Sequence, residues 1–139
     1  MTARQAEKTF PTAAEAAGVA EFRVALRRFL HESERVAREC GLTPAWYLLM
    51  LQIKGAPDLS ERTTVTALAD RLQLAQSSVT ELVARASQAG LLEREPSGED
   101  ARVVFLRLSP EGERRFTRAF RTLAAERQAL RKTIAAIED

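Results

Sequence analysis

Between Gln76 and Arg85 the chain sets out side chains suited to hydrogen-bonded recognition. Gln76, Ser77, Ser78 and Thr80 supply short donors and acceptors, Glu81 an acceptor-only carboxylate and Arg85 a donor-only guanidinium. Val79, Leu82, Val83 and Ala86 recur among them at the spacing of one helix face. At about 100° per residue the opposite face holds Ser77, Glu81, Ala84 and Gln88, flanked by Thr80 and Arg85. A helix whose outer face is small and polar can enter a nucleic-acid groove, its first turns meeting bases and phosphates while Glu81 faces the groove and Arg85 reaches a phosphate. Covalent chemistry has no comparable support. The sequence holds one His and one Cys, with no glycine-rich phosphate loop and no paired ligand motif, so neither an enzyme, a cofactor nor a metal site is expected. His31 falls on a charged helix face without a Cys or His partner. Cys40 ends an apolar stripe, where a thiol is usually inert.

The elements that must hold this face can be read from the flanking residues. Val65, Leu68, Ala69 and Leu72 predict a short helix, Gln73 and Leu74 a turn, and Gln76 to Ala89 a second helix that Gly90 ends. Leu91–Glu95 and Arg102–Leu108 read as strands, with Pro96-Ser97-Gly98-Glu99 as hairpin chemistry between them. A helix-turn-helix followed by a β-hairpin is a winged helix, a shape that can place one helix in the major groove and a loop in the adjacent minor groove.

Leu68-Ala69 to Leu72, Val79-Thr80-Glu81-Leu82-Val83, Ala89-Gly90-Leu91, Arg94-Glu95-Pro96, Asp100-Ala101-Arg102, Leu106 to Leu108 and Glu111-Gly112 together resemble the MarR family of bacterial transcription regulators. The likeness reaches upstream to Leu42-Thr43-Pro44. It implies a wing in which Asp100 orients Arg102 and Arg102 reaches a narrow, A·T-rich minor groove, with Arg94 as a second, backbone-contacting residue. It also implies a pocket for a small phenolic or anionic effector, for which Phe29, Trp46, Tyr47 and Met50 are the lining candidates and Arg23 or Arg27 the charge partners. Relatives that sense oxidants carry the thiol near the start of the first helix, unlike Cys40. The sequence departs from the family at Ala75, where a Ser or Asp cap is common, and at Ala101, where a further Arg is common. It departs again at Glu81, which would repel phosphate or else accept a hydrogen bond from a cytosine amine.

At 139 residues the chain reads as one MarR-like domain, 1–139. Within it, residues 42–108 form the winged helix-turn-helix, while 12–40 and 109–139 form dimerisation helices. The fold class is mostly α with a small β-wing. A single cysteine excludes an internal disulfide, and no apolar run reaches membrane-spanning length; with no signal-peptide core, a cytoplasmic location is expected. The formal charge is +2, yet residues 62–107 carry six Arg against six acids. The charge sum therefore does not support DNA binding, and only the placement of the arginines can.

Met1 to Pro11 shows no periodicity. Thr12 and Glu15 fit a capping box, Gly18 interrupts or bends the chain after it, and a clear helix is expected from Glu21 to Cys40, its stripe formed by Phe22, Ala25, Leu26, Phe29, Leu30, Ser33, Ala37 and Cys40. Thr43 and Pro44 start a helix that is apolar nearly all round, the expected centre of the protomer. Leu59 to Thr63 is a loop or short strand that would pair with the wing. Ser109-Pro110-Glu111 starts a further helix, along which Phe116, Phe120, Leu123, Leu130, Ile134 and Ile137 form a heptad seam. As one helix it would reach roughly 43 Å, longer than a small domain covers alone, so a second copy is expected to complete it, the alternative being that it folds back over the chain's own first helix. Relatives usually add another helix beyond this point, so the dimer is expected to be smaller, differently arranged or made by the long helices alone. The sequence thus points to a homodimer that binds double-stranded DNA at a palindromic operator, a ligand-responsive repressor. The alternative is a protein-interaction module of the same fold with weak or no DNA binding.

Overall fold

Caps decide where the helices of this chain begin and end. The structure is a computed structural model that describes residues 9–137. The described residues fall into two units, Glu34–Thr122 and, separately, the residues up to Ser33 together with those from Leu123. Helix α1 (Ala13–Glu39) begins in one and ends in the other. At its start Thr12 N–H donates to Glu15 Oε2 at 2.8 Å and Glu15 N–H to Thr12 Oγ1 at 3.1 Å, a complete capping box. With that start the helix runs straight through Gly18 instead of becoming clear only at Glu21; a glycine inside a helix costs only about 1 kcal/mol, which so long a helix absorbs. The aperiodic segment Met1 to Pro11 lies largely outside the described residues. Gly41, at φ +76°, closes α1 with Leu42 N–H donating to Ala37 O at 2.9 Å.

In the winged unit, α2 (Pro44–Lys54) is capped by Thr43, whose Oγ1 accepts from Trp46 N–H at 3.1 Å. Tyr47, Leu49, Met50 and Ile53 are buried. This helix packs against α3 (Val65–Leu72), α4 (Gln76–Gln88), α5 (Pro110–Thr122) and the second strand, the central position its all-round apolar pattern demands. Strands β1 (Leu92–Pro96) and β2 (Val104–Leu108) pair antiparallel, Leu92 opposite Leu108 and Pro96 opposite Val104. Thr63 adds one further rung, accepting from Leu106 N–H at 2.7 Å and donating to Leu106 O at 3.2 Å, the pairing expected of the segment after Leu59.

Helix α5 is locked to the sheet. Ser109 N–H donates to Leu91 O at 2.9 Å, its Oγ donates to Gly90 O at 2.5 Å, and that same Oγ accepts from Gly112 N–H at 3.0 Å. At Gly112 a Cβ would stand 2.1 Å from Leu91 O, so only glycine permits this approach. Lys54 Nζ joins Glu61 and, at 3.0 Å, Glu113, tying α2 to the following loop and to α5.

One expectation fails here. Ser109 to Ile137 is not a single helix: α5 ends at Thr122, Leu123 adopts φ −85°, ψ 2°, and α6 (Ala124–Ala135) starts afresh. Thr122 Oγ1 donates to Arg118 O at 2.7 Å, a back-bond that competes with the main-chain ladder and bends helices. The heptad pattern counted apolar positions and could not register that competition. In the terminal unit α6 buries no residue, and Phe22, Ala25, Leu26 and Phe29 are half-buried. Leu30, expected on the apolar stripe of α1, is exposed; Val36, outside that stripe, is fully buried in the winged unit.

Candidate nucleic-acid interface

Helix α4 is fixed from behind and open in front. Val79, Val83 and Ala86 are at most 1% exposed, whereas Gln76, Ser77, Ser78, Thr80, Glu81 and Arg85 all lie on the exposed side. The turn that presents it depends on Gln73 in the left-handed region (φ 55°) and on Leu74 N–H donating to Ala69 O at 3.0 Å. Thr64 caps α3, accepting from Ala67 N–H at 3.2 Å. Ala75 gives α4 no side-chain cap, so the first amides of this helix have no side-chain acceptor. Gly90, at φ +79°, ends it in a Schellman arrangement, Leu91 N–H donating to Ala86 O at 3.0 Å.

The arginines of this region divide by what holds them. Arg62 and Arg107 both donate to Glu95, each at 3.3 Å, and Arg62 also lies over the Phe105 ring at 4.1 Å. Arg85 donates to Glu81 at 2.7 Å. Arg71 donates to the neutral Gln52 Oε1 at 2.7 Å and makes no ion pair among the described residues. Arg94 is exposed and makes no ion pair among the described residues. In the wing, Arg102 is 95% exposed, and its Nε stands 3.8 Å from Asp100 Oδ1. The carboxylate of Asp100 instead accepts from the backbone N–H of Arg102 at 2.9 Å, while Val103 N–H donates to Asp100 O at 3.0 Å. Asp100 thus shapes the turn that carries Arg102 and leaves the guanidinium projecting. The neutral charge sum hides this division: three arginines are clamped by carboxylates, and Arg71, Arg94 and Arg102 are available to phosphate.

The family model described as the MarR family matches residues 41–103, the stretch holding α2, the helix-turn-helix and the wing up to Val103. Solved structures resemble the chain more widely. One MarR family transcription regulator is 23% identical over 84% of this chain and 75% of its own, with a TM-score of 0.69. A cysteine-to-serine mutant of MarR from E. coli, complexed with operator DNA, is 19% identical over 79% of this chain and 76% of its own, with a TM-score of 0.65. A MarR family transcriptional regulator from Streptomyces coelicolor, in complex with DNA, is 22% identical over 87% and 75%, with a TM-score of 0.64. At these identities the likeness is one of fold, a MarR winged helix. No curated protein matches the chain by sequence.

Within residues 41–103, Tyr47 and Met50 serve the core. Tyr47 stacks on Phe116 at 5.5 Å, and Met50 Cε lies beside Gly112. Trp46 is half-buried, and so, in the terminal unit, is Phe29. Of the heptad residues, Phe116 is buried in its own winged unit and Phe120, tilted against it at 5.6 Å, is 39% exposed. Leu123 is buried, Leu130 and Ile137 are half-buried and Ile134 is exposed. Cys40 is buried.

Two residues outside the expected set shape the interface. Thr66 Oγ1 accepts from Gln76 Nε2 at 3.3 Å, tying the first side chain of α4 to α3. Glu95 clamps the two arginines at the base of the wing. The alternation of Glu93 to Glu95 with the facing strand carried a signal for the second; no spacing in the sequence announced the first. Among the described residues no helix is long and apolar enough to cross a membrane.

Proposed function

We propose that this chain is a sequence-specific DNA-binding transcription regulator that acts as a homodimer on a roughly palindromic operator. The single observation that carries the reading is the outward face of α4, where six polar side chains stand exposed on a helix whose other face is locked by Val79, Val83 and Ala86. Such a helix delivers Gln76, Ser77, Ser78 and Thr80 to bases and phosphates, with Glu81 over the groove. The projecting Arg102 suits the adjacent minor groove, held there by the turn that Asp100 makes, and Arg94 suits the backbone, while Arg85 stays on the groove face beside Glu81. Two structures of this fold carry DNA in their complexes, which supports the same use here.

In this reading α1, α5 and α6 pair two copies through Phe22, Phe120, Leu130 and Ile134 and through Ile137 just beyond α6, with Phe116 and Leu123 contributing from within. One protomer then occupies each half-site, about one helical turn apart. The regulator represses, and a small phenolic or anionic effector relieves repression by binding one spacing of the two winged units better than the other. Half-buried Trp46 in the winged unit is the candidate contact, Tyr47 and Met50 being taken up by the core. Catalysis has no part in this reading, and the protein works in the cytoplasm.

The test is selection from genomic DNA followed by anisotropy titrations at several salt concentrations. Specific binding whose affinity falls steeply with salt, and which Arg102→Ala weakens while flattening the salt slope by about 1, supports the proposal. Equal silence across all sequences at low salt rejects it. It favours the protein-interaction alternative, for which the clamping of Arg62, Arg85 and Arg107 is the supporting observation.

A further inference from the structure

The charge at the centre of α4 is unexplained by DNA binding in general. A carboxylate carried into a groove faces phosphates on both sides, and repulsion should weaken the complex. Glu81 does not enter alone. Arg85, one turn further on, donates from Nη2 to Glu81 Oε1 at 2.7 Å, and both side chains remain about two-thirds exposed. Ser78 and Leu82 join them along a shallow groove on the outer side of the helix. Glu81 Oε2 accepts no hydrogen bond among the described residues.

The pair therefore presents, side by side, a group that only accepts and a group that only donates. A base-pair edge matches that pattern when a lone donor sits beside acceptors. In the major groove cytosine offers its N4 amine with no acceptor on the same base, and its guanine partner offers O6 and N7. Adenine also has an amine, at N6, but its N7 acceptor lies next to it and would face the carboxylate.

We propose that Glu81 is a specificity-determining residue that selects a cytosine in each half-site, accepting from the N4 amine while Arg85 offsets its charge and faces the paired guanine. The assignment rests on the DNA-binding reading above. It also gives the ion pair a purpose: Arg85 lowers the cost of bringing an anion among phosphates and holds it in place.

Selection from a randomised DNA library with the wild-type chain, Glu81→Gln and Glu81→Ala tests it. Glu81 is exposed, so neither variant threatens the core. The wild type should enrich cytosine at one position per half-site, and replacing that base should weaken binding on the order of tenfold. Glu81→Gln should move the preference at that position to adenine, whose N6 and N7 an amide pairs with together. Glu81→Ala should erase the preference there and leave the others. A wild-type motif that both variants reproduce unchanged overturns the cytosine assignment and leaves the DNA-binding reading standing. A wild type that enriches no sequence overturns both.

Discussion

The winged unit and the terminal unit are built from similar apolar residues but finish differently. In the winged unit Leu49, Met50, Ile53, Leu68, Val79, Val83, Leu91 and Leu106 are at most 2% exposed. In the terminal unit Val19, Leu30 and Ile134 are each about half exposed, and α6 buries nothing. Apolar surface left in water forgoes about 25 cal/mol per Å² of stabilisation, and a contiguous patch of it marks an interaction surface. The winged unit supplies its own core even though Leu48 and Leu59 stay exposed on it; the terminal unit differs in that α6 buries no residue at all. That is the arrangement the homodimer proposal needs, and it separates the task of reading from the task of pairing.

Substitutions can break this contrast from either side. The largest effect is expected at Gly112. Gly112→Ala drives a methyl group to 2.1 Å from Leu91 O, and urea unfolding followed by Trp46 fluorescence should show a loss of about 3 kcal/mol. Leu68→Ala, at a fully buried site, should cost about 2–5 kcal/mol through the cavity it leaves. Ile134→Ala should cost a dilute sample under about 1 kcal/mol but weaken self-association roughly tenfold in sedimentation equilibrium. An Ile134 variant as damaging to the isolated protomer as Leu68→Ala would erase the distinction between the units. Gly18→Ala has the opposite sign to Gly112→Ala: nothing lies within 4 Å of the added carbon, and thermal unfolding should show a gain of about 0.5–1 kcal/mol.

How much of this was legible in the residues depended on whether the governing interaction was local. Thr12, Thr43, Ser109 and Gly90 announced their caps because a cap is decided within four residues. The wing and the helix-turn-helix followed from periodicity and from Gly90 and Pro96 for the same reason. The break at Leu123 was hidden because a hydroxyl at Thr122 competes with a carbonyl that the heptad pattern ignores. The interface was legible as a set of residue types, but the sorting of its arginines was not. Glu95 meets Arg62 across 33 positions, and only the folded sheet brings them together. Asp100 was expected to orient the arginine side chain; its carboxylate stands 3.8 Å from the Arg102 Nε and also accepts from the main-chain N–H of Arg102, a second bond set by the local turn that the sequence did not announce.

The smallest expected effects are electrostatic, and they again belong to the winged unit. Lys54, hydrogen-bonded by Glu61 and Glu113, has its pKa raised above the ordinary 10.5. Its contribution is therefore complete below that value and lost as pH rises through the raised one. Glu61, bonded to Lys54, and Glu111, bonded to Arg114 and Arg115, sit below the ordinary 4.5. Their contributions are present above that value and fade as pH falls through the lowered ones. Denaturation midpoints should accordingly be flat between these limits, and Lys54→Met should remove the alkaline decline together with Glu61's share of the acid one, leaving the share of Glu111. A midpoint that varies steadily across the neutral range would show that other groups dominate.

The central claim is that two copies present two reading helices to one duplex. Hydroxyl-radical footprinting on the selected operator, with the stoichiometry of the same complex measured by light scattering, tests it most directly. We predict two protomers per site and two protected patches about one helical turn, roughly 10 base pairs, apart. A single protected patch occupied by one protomer, or a duplex with no protected sugars at saturating protein, would contradict it.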